Sequence, residues 1–484
     1  MSLGRTFTVI ASIIFGMVAA RLLSKHDYAT MRQTLLAYSF VAPLLMLGLP
    51  DALYYFLPRE KKRKRGVLSE NLILLLLMAM VFSIFLFAGG YKLLALRFNN
   101  PDLANTLKWM IPYPLYVMPA GVIGAVLLTQ NKTFTLIKYN VISSILLTSL
   151  TIAGILITRD FTGPLMVQIY FPLLLLPVVL LLCFHHVPGK ISKPDLKSMK
   201  EMVKFAVPLG LAGMLGTIML ETNKIVVSAM CTPEEFANYV NGAIEIPLIS
   251  IITISISSVI LIDMTRYVNE GEKAKALELF KKAAIKAAVI ILPVMIFLLA
   301  VGKSFIVTLY SEKYLESIIP FYIYLFILPI RVVIYGSALM ALGQSKVILF
   351  RSIFDLAVNT LLSIILVHFW GYLGAAIATI LTLYFWTVPY NLYKIGKGFG
   401  VGALKTLPFK KMGFVLLISV IPVPLLMFNL LLPNNAYLYK LFLSAFIYFP
   451  ITGGLLLKFN LLEIPQQYFK YLPDFISSRL SNHL

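Results

Sequence analysis

Charge is scarce in this chain. Of its 484 residues 13% are charged and 21 are acidic, against 59% hydrophobic. A soluble domain carries roughly 25% charge, so a large water-facing surface is excluded. The two cysteines, Cys183 and Cys231, fall at opposite membrane faces in the topology that the chain implies, which excludes a bridge between them and any cysteine-rich metal site. The five histidines (His26, His185, His186, His368 and His483) show no ligand spacing. Also missing are a Gly-x-x-x-x-Gly-Lys-Ser/Thr phosphate loop, an Asp-x-Asp pair, a nucleophile elbow and a His-Glu-x-x-His zinc site. No catalytic residue, metal or cofactor is assigned, and the expectation is a protein that is not an enzyme.

What is abundant is apolar sequence. Fourteen stretches lie at about 6–23, 33–57, 72–96, 109–128, 135–158, 164–184, 205–230, 241–263, 287–302, 318–341, 352–369, 371–393, 412–431 and 437–457. About 20 apolar residues in a helix span the roughly 30 Å hydrocarbon core. The expected fold is therefore all-α, a polytopic membrane protein of about 14 transmembrane helices. The first stretch follows a single charge, Arg5, and lacks a convincing cleavage site, so it reads as a retained membrane helix. The tail, with Ile464, Tyr468, Phe469, Leu472 and Phe475 among polar residues, fits a segment lying along the inner interface.

The net charge of +21 would point to nucleic acid in a soluble protein, but here the 42 Lys and Arg are sorted by side. Pooling alternate connections puts 30 on one side and 10 on the other, with Lys224 and Arg331 inside helices. The basic side is the cytoplasm, and both termini are in it. Its densest run is Arg59, Lys61, Lys62, Arg63, Lys64 and Arg65, read as a topogenic cluster facing anionic lipid. No nucleic-acid partner is expected.

A motif recurs. Ser24-Lys25-His26-Asp27-Tyr28-Ala29 and Thr232-Pro233-Glu234-Glu235-Phe236-Ala237 are offset by 208 residues, and each sets a hydroxyl three residues before an acid, the pattern of a helix N-cap. A second echo pairs Gln130-Asn131-Lys132 with Gln344-Ser345-Lys346 at an offset of 214. Two pseudo-repeated six-helix lobes follow, at 1–190 and 200–395, with two appended helices at 405–460 and an interfacial tail at 461–484. An even number of spans per copy makes the repeats parallel, with a cleft expected at their interface near the midplane.

Gly210, Gly213, Thr217, Glu221, Lys224 and Ser228 share one face of the seventh helix. A charge at a helix centre costs about 2.5 to 3.5 kcal/mol on insertion scales, so Glu221 and Lys224 should face protein or water. Two readings stand: a local i, i+3 ion pair, or Lys224 meeting an anionic substrate that Glu221 tunes. Arg331 and Asp355 form a possible structural pair. Arg21, Arg32, Arg5 and Arg266, near helix ends, either snorkel to headgroups or supply cations at the mouths of the cleft.

Ala20-Arg21-Leu22-Leu23 with Asp27-Tyr28-Ala29, and Leu47-Gly48-Leu49-Pro50-Asp51-Ala52 running into Phe56-Leu57-Pro58, resemble the start of Wzx-type flippases. These move lipid-linked oligosaccharides and belong to the multidrug/oligosaccharidyl-lipid/polysaccharide exporter superfamily. Gly371-Tyr372-Leu373-Gly374-Ala375-Ala376 resembles the entry of their twelfth helix. The resemblance implies a V-shaped bundle in the bacterial inner membrane that carries oligosaccharide units on undecaprenyl diphosphate, working by alternating access among membrane lipids. It also implies a polysaccharide polymerase and other assembly proteins as partners. Candidates for a cationic cavity, by position and chemistry, are Lys224, Arg331, Glu221, Arg21, Arg32, Arg266 and Arg5. A multidrug antiporter of the same superfamily is a rival, although the first helix has no acid between Arg5 and Leu23; a lipid II flippase is another. A polymerase or ligase would need a long outer loop, and the outer connections are short.

The charge asymmetry sets an expected outcome for topology mapping. Alkaline phosphatase fused after Arg159 should be active, and fused after Lys193 inactive; the reverse pattern would invert the topology.

Overall fold

The computed structural model describes residues 2–189, 192–244, 246–433 and 435–461. The interfacial tail expected beyond residue 461 lies outside the described residues. Among the described residues there is no strand. The first helices are α1 (Ser2–Leu22), α2 (Lys25–Met46), α3 (Leu49–Arg59), α4 (Lys64–Phe85), α5 (Tyr91–Arg97), α6 (Leu103–Trp109), α7 (Tyr113–Ala120) and α8 (Ile123–Thr129). Then come α9 (Thr133–Thr158), α10 (Thr162–His186), α11 (Leu196–Met230), α12 (Pro233–Gly242), α13 (Pro247–Asn269), α14 (Lys273–Tyr310), α15 (Ile318–Leu325) and α16 (Leu328–Arg331). The chain continues with α17 (Tyr335–Ala341), α18 (Ser345–Trp370), α19 (Tyr372–Thr382), α20 (Val388–Phe399), α21 (Phe409–Val420) and α22 (Tyr437–Lys458).

Among the described residues, eleven helical segments are long and apolar enough to cross a membrane, and a twelfth is a broken pair, α6 with α7–α8, bent by 56°. Of the remaining two expected stretches, one is the shorter apolar run Ile10–Leu22 and the other falls on α11. The chain is thus an all-α polytopic membrane protein. Proline explains some of the breaks. Pro43 precedes the α2–α3 junction and Pro112 sits in the bend between α6 and α7, whereas α10 and α11 run through Pro172, Pro177 and Pro208 without interruption.

Two compact units emerge. The first comprises Met1–Pro247, Ile306–Tyr324 and Ser345–Tyr390; the second comprises Leu248–Phe305, Leu325–Gln344 and Asn391–Leu484. The six-helix lobes at 1–190 and 200–395 are a partition by sequence repeat rather than by packing density, and they stand as a proposal.

In the first unit α9 lies on α1 and α10, while α11 packs against α2, α3 and α18. Both halves of the repeated motif cap helices. Ser24 Oγ accepts the Asp27 amide at the start of α2, and Thr232 with Glu235 forms a complete capping box at the start of α12. The α2–α3 junction turns through two left-handed residues, Leu47 (φ 47°) and Gly48 (φ 72°). Gly210 of α11 seats its backbone directly in this turn. A Cβ on Gly48 would come within 2.7 Å of the Gly210 nitrogen, and one on Gly210 would overlap the carbonyl of Leu47. Only glycine permits that approach.

Between the end of α3 and the start of α4 the basic run is not wholly a lipid-facing cluster. Arg63 pairs with the fully buried Glu70 at 2.6 Å, and Ser198 and the Asp195 amide donate to the same carboxylate. Arg65 donates to the last carbonyls of α10, Phe184 O and Val187 O. Glu60 accepts amide bonds from Arg63 and Lys62, which hold its carboxyl below the ordinary carboxylate range. Buried carboxylates and helix-end carbonyls need partners, so these two arginines staple the linker before α11.

In the second unit Tyr448 of α22 donates to Ser419 O of α21 (2.8 Å) and packs on Phe297 of α14. Ser257 of α13 and Ser337 of α17 share a hydrogen bond of 2.6 Å.

The Gly48–Gly210 contact carries an expected outcome. Gly210→Val should cost about 1 to 3 kcal/mol or more through overpacking, read as a lower melting temperature of the purified protein. Gly413→Ala, in open space within α21, should leave it unchanged or raise it.

Candidate functional site

The 35 residues of α11 would span about 52 Å at 1.5 Å each, so the helix runs the full depth of a bilayer and beyond. Its polar face turns toward protein at the two ends that are described. Gly210 lies in the α2–α3 turn, and Ser228, fully buried, accepts a bond from Gln33 Nε2 of α2 at 2.9 Å. Between them Lys224 Nζ lies 3.0 and 3.2 Å from the two carboxylate oxygens of Glu221. The local ion pair is therefore formed, with both side chains largely shielded. The side chain of Thr217 lies outside the described residues.

Sequence position puts Arg32 at a helix end where it could snorkel. The structure instead holds it two turns inside α2, its guanidinium 5.5 Å from the Tyr28 ring centre. Its Nε is buried and makes no hydrogen bond. Glu221 and Tyr310 lie within electrostatic reach of it. The first unit thus brings Arg32, Glu221 and Lys224 together. Arg21 is at the end of α1, where it donates to Thr308 O while Lys313 donates to the carbonyl of Arg21. The other candidates are placed elsewhere or not described. Arg266 pairs with Asp263 at 3.1 Å in the second unit, and Arg331, exposed, ends α16 in that unit. Arg5 is in α1, but its side chain lies outside the described residues.

Asp355, read from the sequence as a partner for Arg331, lies 3.4 Å from Arg351 one turn away and accepts a bond from Thr387 at 2.9 Å. Arg351, its i, i+4 neighbour, sits just outside the apolar stretch that begins at residue 352.

Neutral amides form a layer that reading by charge missed. Gln33 accepts from Asn100 (2.7 Å) while Asn100 also donates to Thr30 (2.9 Å). Asn223 joins α11 to α19 through Thr379 (2.6 Å) and to α18 through Ser363 (2.7 Å). Tyr28 donates to Asn241 of α12 at 2.8 Å. The available signal was an amide inside an apolar run, since in hydrocarbon such a group must find a protein partner. These bonds lock α2, α11, α12, α18 and α19 around the ion pair. Within this frame Arg32 keeps a buried Nε without a hydrogen bond, and Lys224 is paired only locally, with Glu221 one turn away. Among the described residues no cluster could hold a metal ion.

Comparison with known proteins follows the same lines. Residues 18–319 match the family described as "Polysaccharide biosynthesis protein". The structure is similar to that of the lipid II flippase MurJ in an inward closed conformation, with 17% identity, a TM-score of 0.73, and coverage of 94% of this chain and 98% of that one. It is also similar to a multidrug resistance MATE family transporter of the MOP superfamily facing inward, with 14% identity, a TM-score of 0.62, and coverage of 82% and 94%. A MOP superfamily transporter from Pyrococcus furiosus gives 15%, 0.52, 84% and 93%. No curated protein matches the chain. These likenesses show that the chain shares the fold of these proteins.

The ion pair has a direct readout. Glu221→Ala leaves Lys224 unpaired within the span and should lower stability by about 1 to 3 kcal/mol, measured as thermal stability in detergent. Adding Lys224→Met should recover part of that loss; if the double variant is as unstable as the two single losses combined, the pair is not a unit.

Proposed function

Because the chain belongs to the family of polysaccharide biosynthesis proteins, we propose that it is a flippase which carries oligosaccharide units linked to undecaprenyl diphosphate across the bacterial inner membrane, exposing one site to the two faces in turn. The observation that carries this reading is the buried Arg32 guanidinium, with an open Nε, beside the Glu221–Lys224 pair. At rest Glu221 neutralises Lys224 and lowers the cost of holding a cation in the span. An arriving diphosphate competes for Lys224 and accepts from Arg32, exchanging one charge-assisted contact for two. Glu221, then without its partner, repels the bound phosphate and favours release. Arg21, Arg331, Arg266 and Arg5 are further cations along the proposed passage. The sugars occupy the aqueous part of the route while the polyprenyl chain stays in lipid.

A head of about two negative charges moving outward is assisted by an inside-negative potential at roughly 2.3 kcal/mol per charge per 100 mV, so the step needs no nucleotide. The lobes at 1–190 and 200–395 are the parts proposed to move, with both termini in the cytoplasm. A polymerase on the outer face would receive the delivered units. A lipid II cargo is the second reading, favoured by the similarity to the lipid II flippase.

The test is export of surface glycan in a deletion strain. Lys224→Ala, Lys224→Gln, Arg331→Ala and Arg331→Gln, at normal protein levels, should each reduce export by about tenfold or more, as expected for loss of a charged hydrogen bond worth roughly 1.5 to 3 kcal/mol. Normal export in all four would remove both residues from the mechanism. Accumulation of lipid II instead of the glycan precursor would select the second reading.

A further inference from the structure

The two copies of the capping motif meet. His26, in the corner between α1 and α2, and Glu234, in the corner between α11 and α12, occupy equivalent places 208 residues apart. His26 Nδ1 lies 3.4 Å from Glu234 Oε1, while Nε2 lies 2.8 Å from Asp102 Oδ2 at the start of α6. The offset of 214 carries Asp102 onto Glu316, which pairs with Lys25 at 3.0 Å and accepts from Asn238 of α12. All of these groups belong to the first unit.

We propose that this cluster is an acid-sensitive latch on the extracytoplasmic mouth: a proton on His26 ties α2, α6 and α12 together, and its loss allows them to separate. The proposal rests on the orientation with cytoplasmic termini given above, but not on the identity of the cargo. An imidazolium donates from both ring nitrogens and satisfies both carboxylates, whereas a neutral ring has one N–H and must turn a lone pair toward one of them. The ring is 37% exposed, so the proton comes from water at the mouth.

The surrounding groups do not share this role. On α2, Lys25 is held by Glu316 and Asp27 accepts from Ser24. On α12, Glu235 accepts the Thr232 amide. From the segment Ile306–Tyr324, Lys313 donates to the carbonyls of Arg21 and Leu23, and the Tyr314 ring lies 5.9 Å from Lys25. Tyr372 donates to the Glu316 carbonyl. At their ordinary pKa values none of these groups changes charge between pH 5 and 8, and histidine does. Binding of the proton and closure of the mouth are therefore reciprocal: acid favours the closed form and alkali the open one.

The test uses the full chain in lipid nanodiscs, with Cys183 and Cys231 replaced by alanine and spin labels on Leu22→Cys and Met230→Cys, at the exposed ends of α1 and α11. Distances are measured between pH 5.5 and 8. The open-to-closed ratio should rise with pH, by about tenfold for each unit by which closure raises the proton affinity of His26. His26→Gln should abolish the response, and His26→Arg should keep the short distance at both extremes. Unchanged distances in the parent, or a response retained in His26→Gln, would overturn the latch. Labelling of Leu22→Cys in whole cells by an impermeant maleimide supports the external placement, and labelling only from the cytoplasmic side refutes it. Normal glycan export in the Lys224 and Arg331 variants would strike the cargo reading and leave these distances unaffected, so the two fail separately.

Discussion

Inside a bilayer a polar group has no water to fall back on, and the seating of α11 against the α2–α3 turn decides where its polar groups point. Gly48 and Gly210 bring two backbones into contact, which fixes the rotation of the helix that carries Glu221 and Lys224 of the proposed site. Eleven residues further on, three turns at 3.6 residues each, Glu221 lies on the side toward α2, where Arg32 is. Ser228 and Gln33 close the same face two turns later. A side chain at residue 48 or 210 would shift the helix and every polar pair that depends on its register.

Amide and hydroxyl bonds hold the charges in a frame. Asn223 reaches α18 and α19, and Gln33 with Asn100 ties α2 to the connection before α6. Neutral side chains suit this task because they form strong bonds in a medium of low dielectric without the desolvation cost of an ion. The charged groups can then be few and exchangeable. Lys224 and Glu221 neutralise each other, and Arg32 has an aromatic neighbour and one unused donor.

Much of the fold was legible because the bilayer imposes a length. All fourteen apolar stretches fall on helical segments, and the Ser24 and Thr232 motifs cap helices as their spacing requires. The helix breaks were harder to read: proline interrupts the chain near Pro43 and Pro112 but not at Pro177 or Pro208, since neighbouring packing decides whether a lost hydrogen bond bends a membrane helix. For the site, the ion pair at i, i+3 was visible from spacing alone. The depth of Arg32 was not, because helix α2 begins at Lys25, some eight residues before the apolar run that marked it. The basic run at 59–65 misled in part, since composition cannot distinguish an arginine facing lipid from one that caps a helix end, as Arg65 does. Gln33, Asn100 and Asn223 passed unnoticed because a neutral amide barely perturbs hydropathy.

The central claim is that a cationic pair within the spans recognises a diphosphate rather than a polyprenyl chain. Binding to the purified protein by native mass spectrometry, comparing undecaprenyl diphosphate with undecaprenol, tests it most directly. The diphosphate should bind at least about tenfold more tightly, the equivalent of 1.4 kcal/mol, and Lys224→Gln together with Arg32→Gln should erase the preference. Equal affinity for the two lipids, or a preference that survives both substitutions, would contradict it.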